Sequence, residues 1–138
     1  MLISTKGRYA LRMMIAMANL QAKERRPISL KEISESESIS AKYLEQLAHS
    51  LAAENVIVSS RGKYGGYKLA RPANQILAGD IIRAAEGSTA PVSCLEDGAE
   101  CPREAICTTI RFWAGLDSVI NGYVNAFTLE DLLSDCPK

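Results

Sequence analysis

Two serine-based helix starts, at positions 29 and 40, restrict most strongly how this chain can fold. Ser29 is followed three residues later by Glu32, the spacing of a capping box that opens an α-helix. That helix is predicted to end near Glu37, because the serines around it compete with the backbone for hydrogen bonds. Ser40 then offers an N-cap for a second helix over residues 41 to about 55. A short helix, a tight turn and a second helix are typical of a helix-turn-helix unit, whose second helix enters the major groove of DNA.

Apolar periodicity supports this unit on both sides. Residues 9–20 are almost all apolar, which predicts a preceding helix buried on most of its faces. In the second helix of the unit, four residues recur at helical spacing and are predicted to face the core: Leu44, Leu47, Ala48 and Leu51. The remaining positions are predicted to lie outward or near the rim: Lys42, Tyr43, Glu45, Gln46, His49 and Ser50.

A β-hairpin is predicted directly after the second helix. Residues 56–60 form a β-branched run, residues 67–69 are a second candidate strand, and the glycines between them permit a tight connection. A hairpin in this place makes a wing, so we predict a mainly α fold with a small β wing. Arg61 and Lys63 lie where they could reach phosphates or a narrow minor groove, with Tyr64 and Gly65 beside them at the tip. A plain turn is the alternative interpretation.

The 138 residues carry a balanced charge that is unevenly divided along the chain. Residues 1–72 hold twelve Lys and Arg against six Glu, whereas residues 73–138 hold four against ten acidic residues. The length fits a single compact domain. We therefore expect a winged helix-turn-helix region over 1–72 whose basic surface meets a polyanion, and a second region over 73–138. An uneven surface without a partner is the alternative.

The second half is predicted to contain a helix over 76–86, a loop over 88–100 and a long helix that begins near Pro102. Apolar residues recur along the long helix at spacings of three and four: Ile106, Ile110, Trp113, Leu116, Ile120, Tyr123 and Phe127. A stripe on a helix of about 25 residues is longer than one winged-helix core can cover, so a second copy is the simplest partner. We expect a homodimer on a palindromic DNA site.

Three of the four cysteines lie within fourteen residues: Cys94, Cys101 and Cys107. In a cytosolic chain, this grouping favours a metal site or a redox sensor over a structural disulfide. Zinc sites usually take ligand pairs two to four residues apart, whereas iron-sulfur clusters accept wider spacing. We predict Cys101 at the start of the long helix, where the helix dipole would lower thiol pKa values, and Cys107 on its second turn. The fourth ligand stays open between a loop carboxylate and a group of the partner subunit, because Cys136 lies far along the chain and His49 falls on the second helix of the helix-turn-helix unit.

Other classes of protein are disfavoured. The N-terminal segment has no apolar region behind a basic start, and no apolar run approaches the roughly 18 residues that span a bilayer, so we expect a cytosolic protein with no membrane partner. The chain has one histidine and no carboxylate pair beside a nucleophile, so we do not expect an enzyme. An electron carrier would leave the helix-turn-helix without a purpose.

Three motifs together resemble the Rrf2 family of bacterial winged-helix regulators, and the likeness covers nearly the whole chain. They are Thr5-Lys6-Gly7-Arg8-Tyr9-Ala10, Ile39-Ser40-x-x-Tyr43-Leu44-Glu45-Gln46-Leu47, and Val58-x-Ser60-Arg61-Gly62-x-x-Gly65-Gly66-Tyr67. The three grouped cysteines are similar to those of the family's iron-sulfur members, IscR, RirA and NsrR. Ile110 stands where IscR has a cluster histidine, so only the cysteines are carried over as ligands.

This resemblance implies a function and its residues. The helix after Ser40 would enter the major groove, Glu45 and Gln46 would be candidates for reading bases, and Arg61 would be the wing arginine for the minor groove. The three grouped cysteines would hold a [2Fe-2S] or [4Fe-4S] cluster. We therefore expect a homodimeric transcriptional regulator, such as a repressor, of double-stranded promoter DNA that senses iron, iron-sulfur status, or redox or nitric oxide stress. The alternative is a cluster-free winged-helix regulator that uses its cysteines as a thiol redox switch.

Overall fold

A computed structural model describes residues 3–134, which form a mainly helical fold with one small sheet. The helices are α1 (Thr5–Glu24), α2 (Leu30–Glu37), α3 (Ala41–Ala53), α4 (Ala78–Glu86), α5 (Ile110–Val124) and α6 (Leu129–Ser134), and the strands are β1 (Ile57–Ser60) and β2 (Gly66–Leu69). This architecture confirms the predicted fold class. None of the helices within the described range combines the length and the hydrophobicity that a bilayer crossing requires.

The two serine caps form as the sequence predicts. The Ser29 hydroxyl accepts a hydrogen bond from the Glu32 amide at 3.2 Å, while the Glu32 carboxylate accepts one from the Ser29 amide at 2.8 Å. Ser38 follows α2 in the left-handed conformation, with φ at 56°, and turns the chain. The Ser40 hydroxyl accepts a hydrogen bond from the Tyr43 amide at 3.1 Å and caps α3. The local signals thus set both helix starts.

The wing is an antiparallel hairpin that is attached to the helix-turn-helix. β1 pairs with β2 so that Ile57 lies opposite Leu69. Ile28, just before α2, and Tyr67 exchange backbone hydrogen bonds of 2.9 and 2.8 Å. A Cβ atom on Gly66 would overlap the Ile28 carbonyl oxygen, so glycine permits this close approach. The hairpin is therefore held at its base.

The core is built around α1, which is longer than predicted at both ends. Its three methionines Met13, Met14 and Met17 are fully buried. The four inward residues predicted for α3 are also buried: Leu44, Leu47, Ala48 and Leu51. Ile81 of α4 and Leu129 of α6 belong to the same contiguous cluster. Residues from both halves of the chain therefore share one core.

Two predicted helix boundaries shift by two residues. α3 ends at Ala53 rather than near position 55, and α4 begins at Ala78 rather than at 76. The later start of α4 has a tertiary cause. The Ile76 carbonyl accepts a hydrogen bond of 2.7 Å from the Leu129 amide, and the Ala78 amide donates one of 2.9 Å to the Phe127 carbonyl. This pairing holds residues 76 and 77 extended.

The prediction of one long helix from Pro102 is wrong. A 3-10 turn covers Glu104–Ile106, and α5 begins only at Ile110, with 15 residues instead of about 25. Cys101 is therefore not a helix cap, and Cys107 does not lie on a helix. The Cys101 carbonyl accepts a hydrogen bond of 3.1 Å from the Glu104 amide, which closes a tight turn. Two β-branched threonines, at positions 108 and 109, then precede α5 and disfavour an earlier helix start.

Candidate nucleic-acid interface and cysteine loop

α3 presents the predicted recognition residues on its outer face near its N-terminus. Lys42, Glu45 and Gln46 are exposed, Tyr43 is half-buried, and the capping residue Ser40 is exposed. The opposite face of α3 is in the core, so the helix is held by its apolar side and free on its polar side. A helix N-terminus also carries a partial positive charge that favours nearby anions. This end of α3 can therefore approach a polyanion.

Side chains of α1 fix the position of α3. The Tyr43 hydroxyl donates a hydrogen bond of 3.3 Å to the Thr5 hydroxyl, and its ring packs edge-on against Tyr9 with centroids 5.7 Å apart. The Arg12 guanidinium lies 5.2 Å from the centre of the Tyr9 ring. Arg12 also donates hydrogen bonds to the carboxylate of Glu37, at 3.2 Å, and to its carbonyl oxygen. α1 thus holds the end of α2 and the start of α3 together.

The tip of the wing carries the second group of predicted DNA-binding residues. Arg61, Lys63 and Tyr64 are exposed, Tyr64 by 75%, and the Lys63 ammonium lies 5.8 Å from the centre of the Tyr64 ring. Gly65 is half-buried, and a Cβ atom there would lie only 2.7 Å from the Ser60 carbonyl oxygen. The hairpin is therefore tight, and it presents two cations and an aromatic ring to the outside.

The grouped cysteines all lie on one segment, residues 87–109, which we call the cysteine loop. Cys94 is exposed in a 3-10 turn over Ser93–Leu95, and Cys101 and Cys107 are half-buried. All three are free thiols. Within residues 3–134, no three His, Cys, Asp or Glu side chains lie close enough together to hold a metal ion. Cys136, the fourth cysteine, lies outside the described residues.

Cys107 is the thiol whose environment is best defined. Its sulfur lies 3.4 Å from the Thr109 hydroxyl, just before α5. That hydroxyl, followed by the amides of Thr109 and Ile110, lowers the pKa of the Cys107 thiol. A lowered thiol pKa at the start of the helix is thus found at Cys107, and its cause is hydrogen bonding to residues 109 and 110.

The donor set fits an iron-sulfur cluster in its chemistry, although the loop does not preassemble a site. Three reduced thiols on a loop of short turns, one of them with a lowered pKa, are suitable ligands for a soft metal centre. Their sulfurs do not form a closed coordination shell in this structure. A cluster would therefore have to draw the three cysteines of the loop together.

α5 exposes a continuous apolar stripe that the sequence analysis did not isolate. Phe112, Val119 and Tyr123 are each 68% exposed, and Leu116, between them in helical spacing, is 36% exposed. No residue of α5 is buried. The apolar stripe predicted from the sequence is only partly exposed, because four of its residues are half-buried: Ile110, Trp113, Ile120 and Phe127. The missed residues, Phe112 and Val119, follow the same spacing of three and four as Leu116 and Tyr123, which was the available signal.

Glu86, the last residue of α4, is a second feature that the sequence analysis missed. Its Oε1 atom accepts hydrogen bonds from the Ser4 amide at 2.8 Å, the Ser4 hydroxyl at 2.7 Å and the Gly7 amide at 3.0 Å. Burial raises the pKa of Glu86, but these hydrogen bonds lower it overall. Glu86 directly precedes the cysteine loop, and Thr5 beside Ser4 contacts Tyr43. The loop is therefore anchored close to the start of α3.

Comparison with known proteins gives consistent similarity over the whole chain. The sequence profile of the Rrf2 family, described as an iron-dependent transcriptional regulator, matches residues 3–135. The chain is 40% identical to the protein rrf2 of Nitratidesulfovibrio vulgaris, over 100% of its own length and 93% of that protein. It is 41% identical to the HTH-type transcriptional regulator CymR of Bacillus subtilis, over 97% and 91% of the two chains. It is 38% identical to the regulator IscR of Photobacterium profundum, over 98% and 77%.

Solved structures show the same similarity. The structure of CymR, described as the global cysteine regulator of B. subtilis, superposes with a TM-score of 0.76 at 39% identity, covering 99% of both chains. The structure of IscR from T. potens superposes with a TM-score of 0.75 at 33% identity, covering 99% of this chain and 89% of that one. The relatives are transcriptional regulators and not enzymes.

Proposed function

This chain belongs to the Rrf2 family of transcriptional regulators, and from this premise we propose that it acts in the cytosol as a homodimer that binds palindromic promoter DNA. We further propose that the state of its three grouped cysteines controls this binding. The observation that carries the DNA-binding part is that the start of α3 and a cationic wing tip are both exposed, and both lie in the basic half of the chain. In a winged helix-turn-helix, these two elements meet the major and minor grooves.

The residues in contact with DNA are proposed to be those on the α3 face and the wing. Ser40, Lys42 and Tyr43 lie at the start of α3, where amides and hydroxyls suit phosphate oxygens. Glu45 and Gln46 follow on the exposed side, and their carboxylate and amide groups suit cytosine N4 and adenine edges. On the wing, the proposed contacts are Arg61, Lys63, Tyr64 and Gly65. Exposed apolar residues of α5 support pairing with a second copy, because an uncovered stripe of this kind is unfavourable in water.

The wing assignment is tested by replacing Arg61 with alanine. The expected loss of operator binding free energy is about 1–3 kcal/mol, with an unchanged melting temperature, because Arg61 is exposed. Fluorescence anisotropy on a duplex selected by the wild-type protein measures the affinity. Lys23→Ala is a matched control, since Lys23 is an exposed cation at the opposite end of α1 from Thr5. Equal affinities of the Arg61→Ala and wild-type proteins would reject the wing contact.

For the sensing group, the proposal is an iron-sulfur cluster held by Cys94, Cys101 and Cys107. When bound, a cluster would supply a thiolate-ligated iron centre that assembles and disassembles with iron supply and oxidation. Three free thiols on one loop, the lowered pKa of Cys107, and similarity to IscR and to an iron-dependent family support this proposal. Drawing the cysteines together would order the loop next to Glu86 and shift the population of DNA-binding arrangements.

A cluster-free thiol switch is the second candidate. It is favoured by the similarity to CymR, a relative described as a cysteine regulator. In this case, the thiolate form of Cys107, which the Thr109 hydroxyl stabilises, would be the most reactive group of the loop. Oxidation or modification of the loop would then alter DNA affinity without iron.

Anaerobic purification separates the two candidates. The cluster proposal predicts coloured protein with visible absorption bands, and loss of colour and iron in Cys94→Ala, Cys101→Ala and Cys107→Ala variants. Ser93→Ala, a change of the exposed residue next to Cys94, serves as a control that should keep both. Native mass spectrometry gives the iron and sulfide content and the subunit number in one measurement. Colourless anaerobic protein without iron would leave the thiol switch as the sensing mode.

A further inference from the structure

Asp80 is the centre of a hydrogen-bond network between the DNA-binding region and α5. Its Oδ2 atom accepts hydrogen bonds of 3.1 Å from the Arg71 guanidinium and from the Leu77 amide. Its Oδ1 atom accepts one of 3.2 Å from the Arg83 guanidinium. A single carboxylate therefore joins two arginines that point to different parts of the molecule.

Arg71 extends this network to the end of the recognition helix. It donates a hydrogen bond of 3.0 Å to the Asn55 carbonyl, which lies between α3 and β1, and one of 2.9 Å to the Gln75 carbonyl. The backbone at Asn55 has a positive φ of 57°, so the chain turns sharply there from the recognition helix into the wing. Arg71 thus fixes the junction of the two DNA-binding elements.

Arg83 extends the network in the other direction, to α5. It donates a hydrogen bond of 2.9 Å to the Asn125 side-chain oxygen and a longer one of 3.4 Å to that of Asn121. The buried Thr89, in the cysteine loop, donates its hydroxyl to the same Asn121 oxygen at 3.2 Å. A Cβ atom on Gly79 would overlap the Asn125 side-chain oxygen, so glycine at position 79 leaves room for the Asn125 side chain to bind Arg83.

We propose that this network, from Arg71 through Asp80 and Arg83 to Asn121 and Asn125, sets the angle between α5 and the winged helix and thereby determines which half-site spacing the dimer accepts. The inference rests on the proposed function, because it assumes pairing through α5 and a palindromic site. The three charged side chains are about one third exposed, and ion pairs of this exposure contribute little to folding stability. The effect of the network is therefore on geometry more than on stability.

Half-site spacing is a sensitive measure of this angle. One added base pair moves a half-site by about 3.4 Å along the duplex and rotates it by roughly 35° around the axis. A dimer with a fixed angle between its DNA-binding units tolerates neither change, whereas a dimer with a loose α5 junction tolerates both. Binding to a single half-site does not depend on the angle at all.

The experiment uses the full chain and a duplex that the wild-type protein selects from a random 30-base-pair library. The distance between its two half-sites is changed by one and two base pairs in each direction, and a single half-site duplex is made separately. Affinities are compared for the wild type, Asn125→Ala, Arg83→Gln, and Gly79→Ala, which introduces a Cβ atom at the α4–α5 contact and favours helix formation in α4. Lys23→Gln is the control for loss of a positive charge.

The wild type and Lys23→Gln are expected to lose at least about tenfold in affinity on a one-base-pair change. Asn125→Ala and Arg83→Gln are expected to lose less than about threefold, and so is Gly79→Ala, whose added Cβ atom displaces the Asn125 and Arg83 side chains. All variants should bind the single half-site within about twofold of the wild type. A spacing dependence that is unchanged in all three variants, or a parallel loss of half-site binding, would overturn the inference alone. If the wild type selects no paired half-sites, the proposed function fails with it.

Discussion

Replacement of Glu86 with alanine is expected to destabilise the protein through the start of α1. The Glu86 carboxylate accepts three hydrogen bonds there, from the Ser4 amide, the Ser4 hydroxyl and the Gly7 amide, at distances of 2.7 to 3.0 Å. Glycine at position 7 leaves room for this carboxylate, because a Cβ atom there would lie 2.8 Å from its Oε1 atom. In the alanine variant, the Gly7 amide loses its partner and the helix end loses its negative charge.

The expected loss in the free energy of unfolding is about 2 kcal/mol. Loss of a helix cap costs roughly 0.5–2 kcal/mol, and hydrogen bonds to a charged group contribute roughly 1.5–3 kcal/mol each when buried. The site is only partly buried, and the Ser4 hydroxyl still accepts from the Lys6 amide at 3.1 Å, so the sum stays well below the buried limit. Glu86→Gln keeps an acceptor oxygen and loses only the charge near the helix end, which costs about 0.3–1 kcal/mol.

Urea unfolding followed by circular dichroism, at one protomer concentration for all variants, measures these differences. The pH dependence gives a second test. Since the folded-state pKa of Glu86 lies below its ordinary value of 4.5, its contribution is fully present above that pH and is lost as the pH falls through the lower folded pKa. Glu86→Gln should lack this part of the acid dependence. A loss below about 0.5 kcal/mol for Glu86→Ala, the range of ordinary surface changes, would refute the reasoning.

Two further predictions concern α2 and α5. The Arg26 guanidinium, followed by the Ser29 amide, lowers the pKa of Glu32 from 4.5 to about 2, so its stabilising effect is present above pH 4.5 and is lost as the pH falls toward 2. A Glu32→Gln variant should therefore lose less stability over this range in urea titrations at stepped pH, and identical acid profiles would contradict the assignment. Val119→Glu places a charge in the exposed stripe of α5, and sedimentation velocity should show a monomer instead of a dimer. The control Asn19→Glu, on the exposed surface of α1, should leave the protein dimeric. A dimeric Val119→Glu variant would exclude this stripe from the interface.

The features that the sequence predicts correctly are those decided by residues close together in the chain. Ser29 and Glu32 satisfy each other across three residues, and Ser40 caps α3 through the Tyr43 amide. The inward stripe of α3 is equally local, because its spacing alone decides which side chains face the core. Such signals depend little on the rest of the molecule, and for this reason the helix-turn-helix could be placed before the structure was known.

Periodicity fails where it has to decide the length of a helix. Apolar residues from Ile106 to Phe127 keep a helical spacing, yet α5 covers only Ile110–Val124. Pro102 is compatible with a first helical position, but its fixed φ suits a turn equally well. The turn at Glu104–Ile106 leaves Cys107 extended and next to the helix start. A stripe pattern reports which faces are apolar and contains no information on where the backbone leaves the helix.

Contacts between distant parts of the chain leave no local pattern at all. Glu86 finds its partners 79 and 82 residues away, and Arg83 finds Asn125 at a separation of 42. Each of these residues alone resembles an ordinary surface residue of an amphipathic helix, so its role follows only from the packing of α4 against α1 and α5. The DNA-contacting residues of a winged helix can be predicted from local sequence, whereas the spacing of the two winged helices in a dimer depends on these distant contacts. Changes in α4 or α5 alone are therefore expected to alter the operators that this chain accepts, with its recognition motif unchanged.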